Sequence, residues 1–145
     1  MREAELNTYM KLNELAEQGS IVIFGGDEDK DIPICEIRQA FAMESKIYNR
    51  SIENLSVYDA LAVYQKVVAP IDPETMLIHI GKADLASFDE DPAAFDDQYK
   101  ELIRAVKARN KNCRIAVVSL KNYDNDPQIS ELNKHLKYIA AFENC

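Results

Sequence analysis

Five carboxylates could do chemistry together if the fold gathers them: Asp27, Glu28, Asp29 and Asp31 in one run, and Asp84 further on. Hard oxygen ligands held close together suit Mg²⁺ or Ca²⁺. Two carboxylates kept at different pKa values can instead share acid and base work, which would give Glu28 and Asp84 a hydrolytic role with or without a divalent ion. The same run also reads as a solvated loop with one Asp capping the next helix, as an acidic chain readily supplies. The two histidines are His79, inside Met76-Leu77-Ile78-His79-Ile80, and His135, beside Leu132, Leu136 and Ile139. His79 reads as an interior histidine with its hydrogen bonds satisfied, and His135 as a residue at a helix edge. Neither has a cysteine near it in sequence, so no zinc spacing is present and no cofactor is expected. Cys35 falls in a first helical turn, where the helix dipole can lower a thiol pKa, but a small buried apolar role fits it better. Gly25-Gly26 lacks both a third glycine and a Lys-Ser/Thr, which excludes a dinucleotide fingerprint and a phosphate loop.

The elements that must hold these residues alternate along the chain. Apolar spacing predicts helices over 2–18, 34–44, 55–68, 95–107 and 129–142. Gly19-Ser20 is the expected stop of the first, and Pro70 and Pro73 follow the third. Between them stand short apolar runs at 21–24, 46–48, 76–80 and 114–118. Such runs without polar alternation mark strands covered on both faces, as in parallel sheets. The expected architecture is α/β: a three-layer αβα sandwich around a parallel sheet of about four to five strands, flavodoxin-like in its layering. Ligands bind such sheets beyond the carboxyl ends of the strands, which directs attention to 25–31, 49–54, 81–85 and 119–126.

The chain has 145 residues, 47% hydrophobic and 29% charged, with 4 Gly and 5 Pro. That is a single domain able to bury roughly 70% of its unfolded surface without a disulfide or metal staple. Disordered, collagen-like and repeat classes are excluded. The net charge of -8 repels nucleic acid. No apolar run approaches the roughly 20 residues of a membrane span, and the charged N-terminus is not a signal peptide. Three widely spaced cysteines suit reduced thiols, so a cytoplasmic location is expected.

The loops at the predicted strand ends carry a resemblance. Gly19 to Pro33, with Gly26-Asp27, resembles the opening block of the SGNH (GDSL-type) hydrolases, in which a strand ends in Gly-Asp-Ser. Ile47-Tyr48-Asn49-Arg50 resembles their second block, Ile80-Gly81-Lys82-Ala83-Asp84-Leu85 their third, and Leu132-Asn133 the Leu-Asn pair of a late helix. The resemblance implies an acyl hydrolase with a Ser nucleophile. Its oxyanion hole would combine the Ser N–H, a glycine N–H of block two and an Asn side chain of block three, and a C-terminal His would be the base. The departures fall on those same positions. Glu28 stands at the Ser, no glycine lies in Ser51–Asn54, Ala83 stands at the Asn, and no Asp-x-x-His block follows before Cys145. A carboxylate cannot stand in for an activated hydroxyl, and one lost oxyanion donor costs a hundred- to a thousand-fold in turnover. The expectation is therefore one SGNH-like domain over 1–145, cut short before the last strand and His block, without serine-hydrolase activity. It would bind a small molecule or a protein at Asp27, Glu28, Ser51, Asn54, Gly81, Ala83 and Asp84. An uncovered sheet edge makes a homodimer a further expectation.

Overall fold

The computed structural model describes residues 2–145. The chain runs α1 (Arg2–Asn13), β1 (Ile21–Gly25), α2 (Ile34–Ala40), β2 (Ile47–Asn49), α3 (Val57–Val67), β3 (Thr75–His79), α4 (Leu85–Glu90), α5 (Pro92–Arg109), β4 (Arg114–Val117) and α6 (Pro127–Phe142), with short 3-10 turns at Ala69–Ile71 and Lys82–Asp84. The four strands form one parallel sheet in the order β2-β1-β3-β4. Six helices flank it, α3 packing on α1 and α5, α6 on α4 and α5, and α2 on β2. The α/β architecture expected from the alternating pattern is the one observed, with four strands.

The two faces of the sheet are not equivalent. Val22, Phe24, Met76 and Ile78 are fully buried and Ile115 nearly so, in register across β1, β3 and β4. They meet the stripe Ala60, Val63, Tyr64 and Val67 of α3 and the Phe95, Tyr99, Leu102, Ile103 and Val106 stripe of α5 in one core. Ile21, Ile23, Thr75 and Leu77 point the other way and are only half-buried, while Ala116 is exposed. The apolar runs therefore do not signify strands covered equally on both faces. β-branched and aliphatic residues suit either a buried or a half-buried pleat, so composition alone does not separate the two.

Local chemistry moves several helix boundaries. Asp91 accepts from the Ala94 N–H and Asp126 from the Gln128 N–H, each followed by proline, so α5 and α6 begin two to three residues before their apolar stripes. α1 ends at Asn13, short of Gly19-Ser20, because the Asn13 amide donates to the Val67 carbonyl and its oxygen accepts from Arg50. α2 stops at Ala40, and Ala42 takes a left-handed φ of 49°. The short α4 was not anticipated from sequence.

Candidate functional site

The carboxyl ends of β1 and β3 open onto a small cleft walled by the Gly26–Asp29 turn, Asn54-Leu55, His79–Ala83 and Leu120. Its volume of about 20 Å³ is room for roughly one water. Gly81 turns the chain at its rim with φ 140°, a conformation that favours glycine, and a Cβ there would press on Leu132 Cδ2 at 3.1 Å.

Asp27, Glu28, Asn54, Gly81 and Ala83, all singled out from sequence, line the cleft. Glu28 is bound 2.5 Å from the Lys82 ammonium, and that carboxylate raises the Lys82 pKa. Asp27 Oδ1 accepts the backbone N–H of Asn54 at 3.1 Å. Asn54, in the Ser51–Asn54 stretch where the resemblance places a glycine turn, has φ 52°, a left-handed conformation that asparagine tolerates. Its N–H is thus taken by a carboxylate of the same chain.

Ser51 and Asp84 are not part of the cleft wall. Ser51 is fully buried; its Oγ accepts from the Gly25 N–H at 3.1 Å and its carbonyl accepts from the Tyr9 hydroxyl at 2.6 Å. It ties the end of β1 to the loop after β2. Asp84 is 1% exposed and turns to the start of α3. There it accepts from the Ser56 hydroxyl at 2.6 Å and from the Val57 N–H at 3.0 and 3.2 Å. Burial pushes the Asp84 carboxyl up, against the pull of those hydrogen bonds. Asp31 is exposed. Four of the five carboxylates go to four different partners and Asp31 faces outward, and among the described residues no group of three or more metal-ligating side chains comes together.

The fifth, Asp29, has the partner that sequence reasoning missed. Both its oxygens lie 2.9 Å from His79 Nδ1, with side-chain exposures of 9% and 10%. Gly25 pairs with His79 in the sheet, and a Cβ on Gly25 would fall 2.0 Å from Asp29 Oδ2. The missing side chain is what lets the carboxylate lie over the end of β1. The expectation of a fully satisfied His79 is corrected by half: Nδ1 is bonded, but Nε2 is buried without a protein partner. A signal was available, since two adjacent parallel strands ending in Gly and His, with acids directly after the Gly, bring an acid to that imidazole. It needs the strand register to be read. His135 makes a similar pair with Asp96, Nδ1 to Oδ1 2.8 Å, edge-on to the Phe88 ring. That pair joins α6 to α5 and has no share in the cleft wall. Cys35 is exposed on α2, against the expectation of a buried residue; Cys113 is buried, which pushes its thiol up to about 11.

The Asp29 hydrogen bond raises the His79 pKa against the effect of burial; Asp29 and Glu28 add to the rise and Lys121 opposes it. A histidine whose pKa is higher folded than unfolded contributes stability that is fully present below about 6.5, the unfolded value, and lost as pH rises through the folded value. The urea stability advantage of the wild type over Asp29→Asn is therefore expected to be larger at pH 6 than at pH 9. A difference independent of pH would show that the pair does not titrate as a unit.

No known family profile matches the sequence, and no curated protein is similar to it. Solved structures do share its fold. A Streptococcus pneumonia protein described as a platelet activating factor superposes with a TM-score of 0.79 at 17% identity, over 97% of this chain and 70% of that one. A protein described as a GDSL-like lipase from Parabacteroides merdae gives 0.66 at 16% identity, over 89% and 76%. An acetylxylan esterase from Geobacillus stearothermophilus gives 0.61 at 20% identity, over 88% and 74%. The fold is of the SGNH-hydrolase (GDSL) type. Among the described residues, no helix is long and apolar enough to cross a membrane.

Proposed function

We propose that this chain keeps the SGNH-hydrolase scaffold without the serine-ester reaction, and that its cleft binds a small ligand. The observation that carries the reading is Glu28, a carboxylate held by Lys82 where the resemblance places the nucleophilic serine. The Asp27–Asn54 hydrogen bond, which occupies a backbone donor of the loop after β2, supports it. Fold likeness to lipases and esterases supports a hydrolase-like origin for the cleft but does not assign chemistry, which belongs to the site residues. Among the described residues no hydroxyl is hydrogen-bonded to either imidazole, so the nucleophile–base contact of a serine hydrolase has no counterpart.

The expected result is that neither the wild type nor Glu28→Ser hydrolyses p-nitrophenyl acetate faster than a histidine-containing control protein, and that neither is labelled by a fluorophosphonate. A hydroxyl placed at position 28 would still share the cleft with Ala83, which has no side-chain amide to meet an oxyanion. Labelling of either protein at a serine would defeat the reading. Glu28 and Asp84 are committed to separate partners, so a carboxylate hydrolase built on that pair is not favoured. On the binding reading, millimolar Mg²⁺ or Ca²⁺ leaves the melting temperature unchanged, whereas a metal bound at that pair would raise it.

A further inference from the structure

The geometry points to His79 as the anchoring group of the cleft, with Nε2 taking a hydroxyl oxygen of an uncharged, hydroxyl-bearing ligand. This deepens the binding reading and rests on it. His79 is one of the residues walling the cleft, nine-tenths of its side chain is buried, and Nε2 has no protein partner. A buried polar nitrogen left without a partner costs free energy that a bound oxygen recovers, and the cleft that His79 helps to wall has room for about one oxygen.

The chemistry narrows what that oxygen belongs to. Asp29 accepts from Nδ1, so the neutral ring carries its proton there and offers a bare lone pair at Nε2. The protonated ring instead offers an N–H at Nε2. A hydroxyl or a water serves both states, because it donates to the first and accepts from the second. A carboxylate or phosphate serves only the protonated ring. Charge argues the same way: Asp27, Glu28 and Asp29 border the cleft against Lys82, whose ammonium is already taken by Glu28. An anion would meet that acidic rim, while a neutral polyol could also donate to it. Water is the occupant that such a ligand displaces, and the displacement keeps the hydrogen bond at Nε2.

The test uses glycerol and erythritol as neutral probes and glycerate as the charged one, read by NMR of the whole chain with ¹⁵N-labelled histidine and backbone. The expected result is a saturable shift of the His79 Nε2 resonance with either polyol, along with the amides of Gly26, Asn54 and Gly81. In His79→Asn, whose amide stands where Nδ1 stands and can still donate to Asp29 while nothing replaces Nε2, the same amide shifts should need at least fivefold more polyol. Glycerate should bind more weakly than glycerol. If His79→Asn does not fold, the wild-type Nε2 response decides alone. Amide shifts with no Nε2 response, or shifts equal in wild type and His79→Asn, would overturn the role of His79 while leaving the cleft a binding site. Glycerate binding as tightly as glycerol would overturn the preference for a neutral ligand. Silence of all cleft amides toward every probe would remove the binding reading itself.

Discussion

Gly25→Ala is expected to lower the unfolding free energy by about 3 kcal/mol, more than a glycine-to-alanine change in a strand would suggest. In an ordinary strand the change is favourable, since alanine loses less conformational entropy on folding. Here the added Cβ would fall 2.0 Å from Asp29 Oδ2, 2.7 Å from Asp29 Cγ and 2.9 Å from the His79 carbonyl oxygen. The carbonyl belongs to the paired strand and cannot retreat without opening the β1–β3 ladder. Asp29 must therefore move, which separates two groups that are about nine-tenths buried. Breaking such a pair leaves a charge buried without its counter-ion, the costly direction of change. Urea unfolding measures the loss, and the His79 titration read by NMR should fall back toward the unperturbed value in the same variant. A loss below about 0.5 kcal/mol would mean that the carboxylate swings aside freely and that the dyad does not depend on Gly25.

Asp84→Ala should cost a similar amount, about 3 kcal/mol, and for a reason unrelated to catalysis. Its carboxylate is the acceptor for the half-buried Ser56 hydroxyl and the buried Val57 N–H at the first turn of α3. Alanine removes the acceptor, leaves two donors without partners and strips the helix start of a negative charge. Asn at this position keeps one acceptor oxygen and should cost about 1 kcal/mol. Because burial raises the Asp84 pKa, its protonated form is favoured by folding. That contribution is complete below the unfolded carboxyl pKa and fades as pH rises through the folded one. The penalty of Asp84→Asn should accordingly be greatest in acid and shrink toward neutral pH. Equal stability of Asp84→Ala and wild type would free this carboxylate for a chemical role.

Much of the fold was legible in the residue pattern because packing against a sheet imposes a period on a helix, and α3, α5 and α6 carry that period plainly. The cleft was legible in outline for a related reason. Asp27, Glu28, Asn54, Gly81 and Ala83 follow strands that had been recognised, and the carboxyl ends of neighbouring parallel strands converge. Ser51 and Asp84 sit at those ends too, yet their side chains turn inward to hold backbone groups. That direction is set by which donors lie nearby in space, 26 to 28 residues away in the chain. No local pattern encodes it.

What the sequence determined by itself was the alternation of elements and the chemical character of positions 28 and 83, since a carboxylate and a methyl group stay what they are in any fold. Only the tertiary structure decided how each acid is used: Asp27 on an amide, Glu28 on an ammonium, Asp29 on an imidazole, Asp84 at a helix start. The physical reason is range. Helix and strand periods arise from contacts a few residues apart, whereas a buried carboxylate must find whatever donor the packed sheet brings within 3 Å, and that depends on strand order and register.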